Sequence, residues 1–299
     1  GQNSLIIFSS NTADPFLQRR DPAVVVMQGE LGGVVKEGYG AFAVQLPTGV
    51  AVLNADPETG ETADFKLSVN PDKSSTIALY AGSAEIDVNG RSYSLGRNEA
   101  LTITEDGRTG GVRRLPGAPR VTLPGRDLVA KFRDMPPRVK FEWSSVARAQ
   151  NYRLELARDA NFEEIMVDEY LNETSFVHGN LAAGNYYWRV RARNGWIQGP
   201  ATKARRVSVV QDLDAPPLEL SPIQQAATGE YQLSGRTSPD AKVYVRGQAV
   251  EISADGSFTY VFKVAPGAQA IVVEAIDSVG NIATSSQVFY GDTIFSRSD

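Results

Sequence analysis

Residues 186–196 read Tyr-Tyr-Trp-Arg-Val-Arg-Ala-Arg-Asn-Gly-Trp, four aromatics and three arginines in eleven positions. Successive side chains of a β-strand point to opposite faces. As a strand, this stretch places Tyr186, Trp188, Val190 and Ala192 on one side and Tyr187, Arg189, Arg191 and Arg193 on the other. The first set is a core face. The second reads as a solvated arginine row, so replacing Arg189 and Arg191 by Ser is expected to change stability by under about 1 kcal/mol.

The same alternation recurs along the whole chain in short runs bounded by Gly, Pro, Asn and Asp, which makes this an all-β protein. In TIALYAGSAEIDVNGRSYSLG (76–96), Ile77 and Leu79, then Ala84, Ile86 and Val88, alternate with polar positions, and Asn89-Gly90 supplies the two positive φ values of a type I′ hairpin turn. AFAVQLPTGVAVLN (41–54) and ADFKLSVN (63–70) extend the pattern. Residues from about 21 to 115 read as a stack of hairpins.

The 299-residue length exceeds one ordinary core, and 42% apolar with 22% charged residues is the composition of a folded, non-membrane chain. No apolar run approaches the roughly 20 residues that span a bilayer. The start GQNSLIIFSSNT lacks the basic region and apolar run of a signal peptide, so the expectation is a cytosolic protein or one whose export segment has been removed. There is no cysteine and one histidine, His178. Disulfides and zinc-thiolate sites are excluded, and most Ser-His-Asp or multi-histidine designs with them.

Charge divides the chain. Residues 1–116 carry 10 basic against 14 acidic side chains, 117–212 carry 15 against 11, and 213–299 carry 5 against 10. The boundaries fall at the proline-rich stretches LPGAP (115–119) and DLDAPP (212–217), as domain linkers commonly do. Three tandem domains, 1–116, 117–212 and 213–299, are expected.

The middle segment resembles a fibronectin type III domain. Trp143 in VKFEW stands at that family's strand B tryptophan, Tyr152 in NYRLELARD at its strand C tyrosine, and LAAGNYYWRVRA (181–192) at the run into strand F, with Tyr186 at the tyrosine corner. The loop from Leu181 to Tyr186 is one residue shorter than the common pattern. The last segment is similar to bacterial Ig-like modules over 231–286, with Asp255-Gly256 as a hairpin turn and DSVGN (277–281) as the late turn. In that segment Val272, Glu274 and Ile276 alternate with Ile271, Val273 and Ala275, which suggests a central strand apolar on both sides for part of its length. The first segment resembles the FecR domain through GGVVKEGYGAFAVQLPTGVAVLN (32–54), DFKLSVN (64–70) and residues 75–103. The resemblances imply a hairpin-stack FecR-like domain followed by two β-sandwiches, in a periplasmic or extracellular cell-envelope protein.

Candidate binding residues follow from exposed aromatics and charge. The row Arg189, Arg191, Arg193, with Arg205 and Arg206 on the neighbouring strand, suits phosphates or acidic glycans, or else is surface partly paired with Glu155 across the strands. Tyr187 shares the row. Trp196, in NGWIQGP (194–200), lies in the loop that fibronectin-like domains often use for recognition; it is a contact or sugar-stacking residue, or it folds back over its own sandwich or the next domain. The acidic stretch Asp56–Asp64 offers oxygen ligands at alternate positions but lacks the glycine and terminal glutamate of an EF-hand loop, so it reads as a hairpin tip. His178 reads as a surface or edge residue. Adjacent carboxylates such as Glu163-Glu164 and Asp168-Glu169 point to opposite faces of a strand and do not form an acid/base couple.

The expected protein is a non-enzymatic envelope scaffold without cofactor or metal, binding through Trp196, Tyr187, Arg189 and Arg191. Its partner is another protein or a cell-wall polysaccharide. Nucleic acid is not expected, and membrane attachment only through a segment outside this sequence. The alternatives are a carbohydrate- or peptidoglycan-binding module and a FecR-like signalling ectodomain.

Overall fold

Turn residues and alternation put strands where the hairpin reading requires them. The computed structural model describes residues 6–8, 24–35, 41–54, 62–227 and 229–291, and among them it contains strands and no helix. At the turn between Ser83–Val88 and Arg91–Leu95, Asn89 (φ 53°) and Gly90 (φ 77°) adopt the positive φ pair of a type I′ turn. The Gly90 N–H donates to Asp87 Oδ1 at 3.1 Å. The chain is all-β, and its sheets run in pairs along it.

Two compact units make up the chain: Gly1–Leu128, Val139–His178 and Asn185–Val207 form the first, and Val129–Arg138, Gly179–Gly184 and Ser208–Asp299 the second. The first unit begins with two sheets. One runs Ile6–Phe8, Val24–Val26, Phe42–Leu46, Gly49–Asn54, Ser83–Val88, Arg91–Leu95; the other runs Arg113–Arg114, Glu99–Ile103, Ser75–Ala81, Ala63–Val69, Gly29–Val35. Leu46, Leu53, Leu67, Ile77, Ile86 and Leu101 close the core between them with no measurable exposure. Each such side chain contributes roughly 1.5–3 kcal/mol of transfer free energy relative to exposure.

One hairpin departs from simple alternation. The strand Ser75–Ala81 is buried on both faces for most of its length. Ile77 and Leu79 enter the core, while Ala78 on the opposite face joins Ala100, Leu115 and Ile197 in a small apolar cluster beside Tyr80. Ile197 lies 119 positions along the chain from Ala78, so local pattern carried no sign of this cover.

The remainder of the first unit is most of a second sandwich. A sheet ordered Val121–Leu123, Val139–Trp143, Ser175–His178 faces one in which Gly184–Asn194 lies between Asn151–Ala157 and Arg205–Gln211. Tyr186 and Trp188 are fully buried, and the Trp188 ring meets Phe141 edge-on at 4.9 Å. Trp143 packs edge-on against Tyr152 at 5.7 Å, and the Tyr152 hydroxyl accepts the Val146 N–H at 3.0 Å. Ser175–His178 is an edge strand, which places His178 at an edge as its sequence context suggests.

In the second unit, Glu230–Thr237 pairs with Leu218–Leu220, Gln224–Ala227 and Ser257–Lys263, and a second sheet runs Gln248–Val250, Lys242–Val245, Gly267–Ile276, Ile282–Gly291. Tyr231, Leu233, Val243, Phe258, Ile271 and Val273 fill the space between. Gly267–Ile276 is interior to its sheet, but it is not buried on both sides: Val272 is 44% exposed while Ile271 and Val273 are buried. Among the described residues of this unit nothing covers Val272, and an apolar residue exposed singly is ordinary surface. The DSVGN turn closes on Asp277, whose Oδ1 accepts the N–H of Val279 (2.9 Å) and of Asn281 (2.8 Å).

Candidate functional site

The outward face of Gly184–Asn194 is where the structure corrects the simplest reading of its sequence. Arg189, Arg191 and Arg193 do alternate with the core residues, yet they are not a solvated row. Register pairs Glu155 with Arg189 and Arg153 with Arg191. Glu155 is only 3% exposed, and Arg189 grips it with two bonds, Nε to Oε2 at 2.6 Å and Nη2 to Oε1 at 3.0 Å. The Arg189 guanidinium also lies 3.9 Å over the Phe162 ring. Arg191 Nε approaches the same carboxylate at 3.7 Å.

Burial by itself would raise the Glu155 carboxyl, but the Arg189 hydrogen bonds and the charges of Arg189, Arg153 and Arg191 outweigh it and hold the group below the usual carboxylate range. Arg153 and Arg191 stand directly opposite each other, a repulsive placement on a sheet. Anions on both sides offset it. Asp168 takes Arg153 in a bidentate pair at 2.6 and 2.7 Å, and Glu30 of the first pair of sheets lies 3.8 Å from Arg153 Nη1.

Glu30 belongs to Gly29–Val35, and with it the contact passes from residues 117–212 to residues 1–116 inside one compact unit. Lys66 Nζ reaches Glu30 Oε2 at 2.8 Å and Gln198 Oε1 at 3.3 Å. Burial lowers the Lys66 pKa against the pull of Glu30, and burial raises that of Asp64 against the pull of Arg191. Both shifts mark charges drawn out of water at this junction. Tyr80 donates to the Gln198 carbonyl at 3.4 Å, beside the Ala78–Ala100–Leu115–Ile197 cluster.

Gly199 shows how close the approach is. A Cβ there would run into the carbonyl oxygen of Pro116, while the Gly199 N–H donates to the Ala192 carbonyl at 2.9 Å. Gly199→Ala is therefore expected to destabilise the first unit by about 1–3 kcal/mol, as overpacking does. A denaturant melt checks this; an unchanged midpoint would mean that the contact is not held in solution.

Trp196 sits beside this junction on the turn after Gly184–Asn194. Its indole N–H donates to Asp72 Oδ2 at 3.0 Å. Asp72 is itself held in the turn before Ser75–Ala81, where its Oδ1 accepts the Ser74 N–H (3.0 Å) and hydroxyl (2.6 Å); the Ser74 bonds, with that of Trp196, depress its carboxyl. Trp196 thus presses on the preceding segment. It stays 40% exposed, and with Tyr170 (52%) and Met27 (51%) it borders a cleft of about 610 Å³ that Arg193 and Gln198 also line. Arg193 is 8% exposed, stacks on Tyr170 at 4.3 Å, and its Nε has no hydrogen-bond partner among the described residues.

Of the sequence candidates, Trp196 lines this cleft, Arg189 and Arg191 are held in ion pairs with Glu155 and do not line it, and Tyr187 lies along a different groove with Arg205 and Arg206. Glu30, Asp72 and Tyr170 were missed by sequence reasoning. The one signal that could have found their segments was the opposite net charge of residues 1–116 and 117–212. The acidic stretch Asp56–Asp64 lies outside the described residues except for its end at Thr62, Ala63 and Asp64. Among the described residues no group of three or more His, Asp or Glu side chains is placed to hold a metal ion.

No family model matches the chain, and no curated protein does. Among solved structures, the fibronectin(III)-like modules of CbhA from Clostridium thermocellum align with a TM-score of 0.38 at 12% identity, over 58% of this chain and 94% of theirs. The chicken CNTN1 FN1–FN3 domains align at 0.34 and 14% identity, over 89% and 99%. A structure concerned with host cell surface retention of a 1.5-MDa bacterial ice-binding adhesin aligns at 0.32 and 12% identity, over 91% and 98%. None of these likenesses is close enough to carry a function.

Proposed function

We propose that this chain is a non-enzymatic modular binding scaffold of the cell envelope, periplasmic or extracellular, which presents the Trp196 cleft to a cell-wall component or another protein. The observation that supports this reading most is the state of Trp196. Its indole N–H is pinned to Asp72 while two-fifths of its surface stays open, next to the exposed Tyr170 and Met27. An aromatic already ordered before binding loses little conformational entropy on contact, and such residues dominate recognition surfaces.

The arginine pairs support the scaffold part of the reading. They join the first two segments into one compact unit, so the walls of the cleft come from both.

Co-sedimentation with insoluble peptidoglycan tests the cell-wall branch. Trp196→Ala is expected to weaken binding at least about tenfold, the loss typical of a hot-spot aromatic, and to leave the protein folded, with a lowered melting midpoint from the lost Asp72 bond. Equal binding by both proteins overturns the cleft as the site. No sedimentation of the unaltered protein removes the cell-wall branch.

A further inference from the structure

Five cations surround a second opening that the junction does not use. Arg120 and Arg126 come from the stretch after Pro119, and Lys203, Arg205 and Arg206 from the approach to Arg205–Gln211 and its start; all line one groove of about 1100 Å³. Asp127 is its only acidic lining residue among the described residues. Asp127 meets Arg206 at 3.5 Å, and Arg205 donates to the Pro124 carbonyl at 3.1 Å. The Arg120, Arg126 and Lys203 side chains are exposed and form no ion pair or hydrogen bond among the described residues.

Like charges gathered around a concave surface raise its potential and concentrate anions there. The rest of the protein does not supply this attraction, because the whole chain carries a net −5. Between the cations the lining is small, with Ala118, Ala160, Ala201 and Ala204, so a polymer backbone can lie close to the protein surface. Tyr187 provides a single aromatic face. Single-stranded nucleic acid is normally held by several aromatics on which successive bases stack, and a flat headgroup plane does not match a groove. One aromatic among spaced cations fits a sugar chain with regularly placed anionic groups.

We propose that this groove binds an acidic polysaccharide, its carboxylates or sulfates paired with Arg120, Arg126, Lys203 and Arg206 and one sugar ring on Tyr187. The site is separate from the Trp196 cleft and does not rest on it. Retention of the whole chain on immobilised heparin (sulfated) and polygalacturonate (carboxylated), eluted with rising salt, tests the proposal. The unaltered protein is expected to be retained at low salt on at least one of them and released as salt screens the pairs. Replacing Arg126, Lys203 and Arg206 together by Ser is expected to weaken that binding at least about tenfold and to flatten its salt dependence.

A second triple variant, Arg113→Ser, Arg114→Ser and Lys242→Ser, makes the same change in net charge at exposed positions elsewhere and is expected to bind like the parent. Trp196→Ala is expected to be retained normally, so the two sites fail or stand separately. Thermal melts of both triple variants report that they are folded. No retention of the parent on either polymer, or equal weakening in the two triple variants, overturns the proposal. Tighter binding to single-stranded DNA or to phosphatidylglycerol vesicles than to either polysaccharide overturns it as well, since the groove would then serve another class of ligand.

Discussion

Trp188→Ser is expected to unfold the second sandwich. The Trp188 ring has no measurable exposure and meets Phe141 edge-on at 4.9 Å between the two sheets of this sandwich. Truncating a buried tryptophan costs about 3–5 kcal/mol, and the serine hydroxyl would add an unpaired polar group to the cavity. That is comparable to the whole stability of a small domain. Chemical denaturation followed by far-UV circular dichroism checks it. A loss under about 1 kcal/mol would mean that Trp188 does not fill this core.

Glu155→Ala is the second large effect, and it reverses what alternation alone suggests about the arginine face. The carboxylate is 3% exposed and holds Arg189 by two short bonds, with Arg191 and Arg153 close by. Removing one partner of a buried pair costs about 3–5 kcal/mol because the other charge is left uncompensated. The side chain of Arg189 keeps 25% exposure, so the low end, about 3 kcal/mol, is expected here. Replacing Arg189 and Arg191 by Ser strands the Glu155 charge instead, and a loss of similar order replaces the under 1 kcal/mol that a solvated row would give.

The pH dependence gives an independent reading of the same pair. The folded-state pKa of Glu155 is lowered, so its contribution is present above its unfolded value and is lost as pH falls through the folded one. The parent is therefore expected to lose stability on acidification below the ordinary carboxylate range. Glu155→Gln, with no charge to lose there, is expected to show a shallower acid limb in urea melts taken across that range. Parallel limbs for the two proteins would contradict the ion pair.

The strands were legible because each rests on neighbours a few positions away. Asn89-Gly90 specifies its turn through two backbone angles, and Tyr186, Trp188, Val190 and Ala192 declare a core face by period two alone. The candidate site was legible only in part. Trp196 could be singled out as an aromatic on a turn, but its bond to Asp72 joins residues 124 positions apart, and nothing near either one signals the other.

Alternation separates the two faces of a strand, and that much of this protein is written in its order of residues: an all-β chain, the core side of 184–194, and arginines on the other side. It does not say what lies over the second face. Whether Arg191 and Arg193 meet water or the segment carrying Glu30, Lys66 and Tyr80 depends on how separate sheets pack, and that is settled by burial and charge pairing between residues distant in sequence. The opposite net charges of residues 1–116 and 117–212 were visible from the start. Only the folded arrangement turns them into contact, because an ion pair gains its strength where approach of the two surfaces has removed the water between them.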